Sequence, residues 1–363
     1  MWRWLFPLIG LGVWFSASAA AQAQEATPAP EVAPAPEKGK GKAKGTRKKV
    51  KLSGYVQMFF KQRFDNDGDG EVEASLFRMH RVRLKVSGDL APWLAYQVEI
   101  DPRAPAIGGV LRDAFIDLRL IPHHRIRIGQ QKTPFGYENR ESSSRLYTVT
   151  RTELAEGPGR GLTLRDIGVA LIGRIPLGGS FSVEDHLAVV NGAGMNVQVD
   201  ETNAKNFWGR IGGRYRDKER HLTVWLGMSV GIGDMTEPAE PGPPPVEALL
   251  IEFQRFGADL EVDSPWVFFA AEVATSTNEL PSMPEDSDES IAYSAMVAGK
   301  TPWDVGPVVR YDMHDLEEFV RWTFGAYYGA PDDAFRAMAT FEVFEDEAGP
   351  HDHRLLLWTQ ARF

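Results

Sequence analysis

From residue 51 onward the chain repeats one pattern, in which a segment of alternating apolar and polar side chains is followed by a connection. Seven short turns rich in Pro, Gly or Asp alternate with eight longer polar stretches, and this arrangement requires sixteen strands. An even number of strands, with short turns on one side and long loops on the other, is typical of barrels in bacterial outer membranes. The sequence therefore predicts an all-β fold over residues 51–363. The predicted fold is a barrel of sixteen antiparallel transmembrane strands with short periplasmic turns and long extracellular loops.

The two faces of these segments differ in chemistry. Arg81, Arg83 and Lys85 alternate with Val82 and Leu84. The same alternation places further cations on polar faces, at Arg125, Arg127, Arg210, Arg214 and Arg216. Alternation alone also fits a soluble β-sandwich, whose apolar face lies inside. Arginines on the polar faces favour lipid outside and water inside.

The N-terminal 50 residues differ from the rest of the chain. Residues 1–23 contain Arg3, the apolar run 5–15 and small residues before Ala23, which predicts a secretory signal peptide. Residues 24–50 are Ala/Pro repeats followed by a Lys-rich run, which predicts a disordered linker. The linker either attracts an anionic surface or serves only as a solvated tether. The chain has no cysteine, so an exported fold does not depend on disulfides.

Composition excludes several classes of protein. The mean hydropathy is -0.28 and no apolar run reaches about 18 residues, which excludes a bundle of transmembrane helices. The formal net charge is -10, whereas a nucleic-acid partner calls for a basic surface. We therefore expect no nucleic acid among the partners.

Several segments resemble the phosphate-selective porin O and P family, beginning with Arg125–Gly136 and Phe77–Leu84. Further similar segments follow in the family's order, at Ala188–Gly194, Phe256–Glu272 and Phe324–Tyr328. The resemblance implies a trimeric, sixteen-stranded outer-membrane barrel for passive, anion-selective uptake in a Gram-negative bacterium. It also implies a pore lined by Arg and Lys and narrowed by the third long loop, here residues 134–164.

The basic faces are the candidate pore wall. Residues two apart on a strand are about 6.6–7 Å apart, so successive cations give a permeating anion overlapping sites that it can leave. Arginine suits phosphate and carboxylate because its planar fork forms paired hydrogen bonds. The hypothesis assigns pore lining and anion binding to Arg81, Arg83, Lys85, Arg125, Arg127, Arg151, Arg160, Arg210, Arg214 and Arg216. The alternative is that these cations only form ion pairs with acidic residues of the lumen.

The preferred function is therefore a porin for small anionic, phosphate-like solutes, with the lipid bilayer and two further copies of the chain as partners. The alternatives are a general or cation-tolerant porin and a structural or adhesive barrel plugged by loop 134–164. An enzyme is disfavoured. Gly227–Gly231 matches the nucleophile-elbow pattern around Ser229, but that pattern requires a strand, a turn and a helix, whereas this segment alternates as a strand.

The first long loop resembles a calcium-binding loop. Asp65, Asp67 and Asp69 have the spacing of the first EF-hand ligands, but Leu76 occupies the twelfth position, where the bidentate Glu belongs. A calcium site and a hydrophilic hairpin loop both remain open. No other cofactor is expected.

Overall fold

Sixteen strands and a short helix, α1 (Glu153–Glu156), build the described part of this computed structural model. The strands are β1 (Val50–Phe64), β2 (Ser75–Ala91), β3 (Leu94–Ile100), β4 (Leu111–Ile121), β5 (His124–Lys132), β6 (Arg165–Gly178), β7 (Phe181–Val190), β8 (Asn206–Asp217), β9 (Leu222–Glu237), β10 (Leu249–Asp263), β11 (Val267–Glu279), β12 (Asp288–Gly299), β13 (Val305–His314), β14 (Phe319–Tyr328), β15 (Phe335–Glu345) and β16 (His353–Arg362).

The structure describes residues 50–64, 75–103, 110–156, 165–197, 204–237, 249–282, 285, 287–315, 319–345 and 353–363. Four predictions from the sequence lie outside these ranges. They are the signal peptide, all of the linker except residue 50, the candidate calcium ligands Asp65, Asp67 and Asp69, and the candidate pore residue Arg160.

The sheet closes on itself. Each strand pairs antiparallel with its neighbours in sequence, and β1 pairs with β16 to complete the ring. The backbone of Gly54 donates to the carbonyl of Phe363 at 2.9 Å and accepts from its N–H at 3.0 Å. Closure allows β-structure to lie in lipid with its backbone groups paired. The predicted sixteen-stranded antiparallel barrel is confirmed.

The polar faces point into the barrel and the apolar faces point outward. On β9, Leu226 and Met228 are 60% and 65% exposed, whereas Ser229, the next residue along the strand, is 6% exposed. On β13, Arg310 is only 1% exposed. Outward-facing aromatic rings form a contact series across β12–β14 that comprises Tyr293, Tyr311, Trp322 and Phe324. Exposed apolar side chains outside and buried ionic side chains inside suit a barrel surrounded by hydrocarbon.

Two positions depart from the simple strand pattern, one in its pairing and one in its residue type. The β1–β2 register shifts so that Gln57 pairs with Arg81 while Met58 pairs with Met79, which leaves His80 as the extra, bulged residue. On β7, Asp185 shares a face with Val183 and Leu187, and its pairing with Gly173 of β6 shows no register shift. Asp185 therefore projects from the apolar outer face.

The interior core lies between one side of the barrel and the loop that follows β5. We call this loop, residues 133–164, L3; its described part is 133–156. Tyr137, Tyr147 and Val149 of L3 belong to a buried apolar cluster that includes Phe268 and Met296 of the barrel. A second cluster joins L3 to β6–β12 through Phe135, Leu154, Ala170, Ala188, Trp208, Phe253 and Ala292. L3 is therefore folded into the lumen.

Among the described residues, we find no helix with the length and apolar character needed to cross a membrane.

Candidate functional site

Buried arginines of β13–β15 hold the backbone of L3. Arg336 donates to the carbonyl oxygens of Ser144 at 2.7 Å and Leu146 at 2.9 Å. Arg310 donates to the carbonyl oxygen of Thr150 at 2.6 Å. Hydrogen bonds from charged donors are stronger than those between neutral groups. These carbonyl oxygens are removed from water, so they depend on the arginines as donors. The cations on this side of the barrel thus serve to fix the loop.

Buried carboxylates complete the attachment of L3. Glu272 of β11 accepts hydrogen bonds from the backbone N–H groups of Tyr137 at 2.8 Å and Glu138 at 3.3 Å. Asp312 of β13 accepts from the N–H of Glu153 at 3.2 Å and forms a 2.8 Å ion pair with Arg321. L3 therefore meets fixed donors and acceptors along the inner faces of β11–β15.

The open part of the lumen lies on the opposite side of L3. A cavity of 780 Å³ is bounded by L3 and the inner faces of β1–β7. Its described lining contains three carboxylates, Glu99, Asp113 and Glu184, and nine cations. The cations are Arg83, Lys85, Arg119, Arg125, Arg127, Lys132, Arg140, Arg165 and Arg174. The cavity is therefore basic although the whole chain has a net charge of -10. Local charge, focused by low-dielectric walls, sets which ions concentrate there.

Most of these cations have carboxylate partners. Arg127 is held by Asp117 through two hydrogen bonds, from Nε at 2.7 Å and from Nη2 at 2.9 Å. The other pairs are Arg83–Asp101 at 3.6 Å, Arg119–Asp89 at 2.8 Å, Arg125–Asp117 at 3.5 Å, Arg165–Asp113 at 2.7 Å and Arg174–Glu184 at 2.7 Å. Pairing fixes these side chains and reduces the charge that each presents to a solute.

Three lining cations form no ion pair with any residue in the described ranges, Lys85 on β2, Lys132 at the end of β5 and Arg140 on L3. Arg140 donates from Nε to the carbonyl oxygen of Gly136 at 2.8 Å, which orients its guanidinium. Burial lowers the pKa of Arg140 from its ordinary value, and the positive charge of the nearby Arg210 lowers it further. Lys132 instead donates to backbone carbonyls of L3, at Asn139 and Glu141. Lys85 and Arg140 therefore present the least compensated charge in the passage.

The cavity brings together four of the residues predicted to line a pore, Arg83, Lys85, Arg125 and Arg127. Arg151 is placed elsewhere: it is buried in L3, where it donates to the carbonyl oxygens of Glu138 and, at 2.9 Å, Glu141.

The remaining predicted residues lie outside the described lining of this cavity. Arg81 contacts the bulged His80 at 3.2 Å and Gln57 at 3.4 Å. Arg214 lies 4.8 Å above the Trp225 ring, and Arg216 is exposed beside the β8–β9 turn.

Arg210 points inward but is bound to its neighbours. It forms a buried pair with Asp259 and donates to the hydroxyl of Ser229 at 3.2 Å. The same hydroxyl accepts from the N–H of Gly136 at 3.2 Å, and Ser229 lies inside the continuous strand β9. Ser229 therefore helps to position L3 and lacks the turn and helix of a nucleophile elbow.

Some lining cations were absent from the predicted set. Arg119 lies on the same face of β4 as Asp117, so strand alternation could have indicated it. Lys132 ends the basic strand β5, and Arg174 follows Ile172 by two residues on β6. Alternation gives the inward direction of such side chains, but it does not show which of them L3 covers.

In the described ranges, no group of three or more His, Cys, Asp or Glu residues is arranged to hold a metal ion. The candidate calcium ligands lie in residues 65–74, outside those ranges.

Comparison with known families and structures agrees with this architecture. The family model described as phosphate-selective porin O and P matches residues 50–226, which include β1–β8 and L3. Over these residues the chain is similar to that family. The resemblance seen in the sequence is thereby confirmed. The matched family is one of porins, and the fold is that of the outer-membrane barrels described next.

Solved structures share the fold of this chain at low sequence identity. A loop-deletion mutant of OmpT, an outer membrane protein of Vibrio cholerae, is 13% identical with a TM-score of 0.61, covering 87% of this chain and 99% of that chain. An anion-selective porin from Comamonas acidovorans is 12% identical with a TM-score of 0.59, covering 87% and 100%. A trimer form of in-vitro folded OmpT gives 13% and 0.57, covering 87% and 99%. A comparison with curated proteins finds no match.

Proposed function

We propose that this porin provides passive diffusion of small anionic solutes, phosphate-like ions included, through the passage between L3 and β1–β7. The observation that carries the proposal is the nine-to-three excess of cations over carboxylates in the described lining of the cavity. Such an excess raises the local concentration of anions, and partial pairing keeps each site weak enough for ions to leave.

The cavity volume of 780 Å³ favours conduction over the alternative of a barrel plugged by L3. L3 packs on one side of the lumen through its apolar clusters and leaves the basic side open. The similarity to an anion-selective porin from Comamonas acidovorans, which extends to the fold, is compatible with the same preference here.

Reversal potentials in planar bilayers under a potassium chloride gradient test the proposal. We expect the current to be carried mainly by chloride. A reversal potential of the sign expected for a potassium current would favour the cation-tolerant porin. The absence of single-channel steps from correctly folded protein would favour a plugged barrel. Replacement of chloride by phosphate then measures whether the passage conducts phosphate.

Three further assignments belong to the proposal. Residues 1–23 form a signal peptide that is cleaved on export, and residues 24–50 form a linker before the barrel. The functional unit is a homotrimer in the outer membrane of a Gram-negative bacterium, since one of the similar folds is a trimer. N-terminal sequencing of membrane-extracted protein tests the cleavage, and its mass in detergent tests the trimer. An N-terminus upstream of residue 24 contradicts the first assignment.

A further inference from the structure

An aromatic side chain lies within the basic part of the passage. Phe115 of β4 lines the cavity, and the guanidinium carbon of Arg127 lies 3.5 Å from the centre of its ring. That distance is well within the range of a cation–π contact. Phe115 is opposite Gly129 in the β4–β5 register. Gly129 has a φ of +128°, and a Cβ there would lie 2.2 Å from the carbonyl oxygen of Ala114. A side chain at 129 is therefore excluded, and the phenyl ring is the apolar group available at this point of the lining.

The apolar surface continues beside the cations. Ile172 of β6 lines the same cavity and is the cross-strand partner of Arg125. Cross-strand partners on one face have Cβ atoms about 4.5–5.5 Å apart. Phe115 and Ile172 thus place an aromatic and an aliphatic side chain next to consecutive cations of β5. This arrangement differs from a lumen coated only with charged groups.

The hydrogen-bonding capacity of the passage is limited. Asp117 occupies two donors of Arg127, and Asp113 occupies a donor of Arg165. Lys85, Lys132 and Arg140 are the lining cations without ion pairs among the described residues, and Lys132 is already bound to carbonyl oxygens of L3. Inorganic phosphate is bound best by several charged donors acting together. An anion with one carboxylate and a flat apolar body needs fewer donors and gains contact with Phe115 and Ile172.

We propose that the passage favours carboxylate monoanions that carry an apolar, preferably aromatic, body. The carboxylate is attracted by Lys85 and Arg140, and the body contacts Phe115 and Ile172. This inference rests on the proposed function, because it assumes that anions enter the passage between L3 and β1–β7. It adds a chemical class of solute that net charge does not specify.

The full-length protein in planar bilayers tests the inference with two probes of equal charge, benzoate and acetate. Each is added to a constant chloride background, and the concentration that halves the chloride current is measured. We expect the value for benzoate to be about three- to tenfold lower than for acetate. Equal values for the two probes overturn the inference while leaving chloride selectivity, and hence the proposed function, intact. A potassium-selective current overturns the proposed function itself.

A matched pair of variants locates the contact. Phe115→Leu keeps an apolar side chain but removes the aromatic ring, and we expect it to raise the half-blocking concentration of benzoate about threefold. Phe324→Leu makes the same change on the outer face, where the phenyl is 45% exposed, and is expected to leave the benzoate value unchanged. If the two variants respond equally, the assignment of Phe115 is wrong. If Phe115→Leu fails to assemble, the comparison of benzoate with acetate in the natural chain still decides the solute class.

Discussion

Arg336 on β15 donates from Nη2 to the carbonyl oxygen of Leu146 in L3 at 2.9 Å, although the two residues are 190 positions apart in sequence. A second donor of the same guanidinium reaches the carbonyl of Ser144 at 2.7 Å. Arg336 is fully buried, so its charge is directed at the loop backbone and not at a passing solute. This relationship separates two kinds of inward-facing cation in the barrel, those that fix L3 and those that line the passage beside it.

Removing one of the cations that fix L3 should make this loop more mobile. We expect Arg336→Ala to increase open-channel current noise, because the carbonyls of Ser144 and Leu146 lose a charged donor. The Ser144 carbonyl keeps the amide of Gln360 as a donor at 3.2 Å, whereas the Leu146 carbonyl loses its charged donor. A buried group left without a partner costs about 1–3 kcal/mol, so the unfolding temperature should fall as well. Single-channel recording and thermal unfolding measure the two effects. Arg220→Ala, at an exposed arginine in the β8–β9 turn, is the control and should change neither. Quiet channels from Arg336→Ala would contradict a pinning role.

Reversing the charge of one of the cations that line the passage should alter the preference of the channel for anions over cations. Lys85 lines the passage without an ion pair in the described residues, so Lys85→Glu changes the local charge without leaving a carboxylate partner unpaired. We expect the chloride-to-potassium permeability ratio to fall roughly twofold or more. Lys218→Glu makes the same change in an exposed turn and should leave the ratio unaltered. Equal ratios for the two variants would place the charge-selective region away from β2.

The His124–Asp185 pair on the outer face should depend on the absence of a side chain at Gly173. Nε2 of His124 lies 3.2 Å from a carboxylate oxygen of Asp185. A Cβ at residue 173 would lie 2.3 Å from Asp185 and 2.4 Å from the imidazole ring. Gly173→Ala is therefore expected to destabilise the barrel by about 1–3 kcal/mol.

Thermal unfolding followed by circular dichroism measures that loss. The matched control is Gly213→Ala on β8, where an added Cβ meets nothing within 4 Å. We expect the control to shift stability by less than about 0.5 kcal/mol. Similar unfolding temperatures for the two variants would show that the His124–Asp185 pair tolerates displacement.

Salt should weaken the anion preference. The screening length falls from about 10 Å at 0.1 M to about 3 Å at 1 M ionic strength. Because selectivity in this proposal comes from lining charge, the chloride-to-potassium permeability ratio should move towards unity over that range. Reversal potentials at a fixed concentration ratio but rising total salt measure the change. A ratio independent of salt would indicate a steric filter instead.

The strand pattern made most of the barrel predictable. Arg81, Arg83 and Lys85 alternate with Val82 and Leu84, and this period of two fixed both the strand and its two faces before any contact was known. The bulge at His80 was not evident, because an extra residue changes pairing without changing local composition. The inward direction of Arg210 was evident, but its pairing with Asp259, 49 positions away, was not.

The local amino-acid sequence determined the sixteen strands and the alternation of turns and loops. It also determined which side chains share a face, because the side-chain period of a strand depends only on its own backbone geometry. Only the tertiary structure decided that L3 packs against β6–β16 through two apolar clusters and that Arg310 and Arg336 hold it. It also decided that the basic cavity lies between L3 and β1–β7. The physical reason is that a loop's position follows from long-range apolar packing and buried hydrogen bonds. Those contacts join residues whose separation in sequence carries no repeating signal.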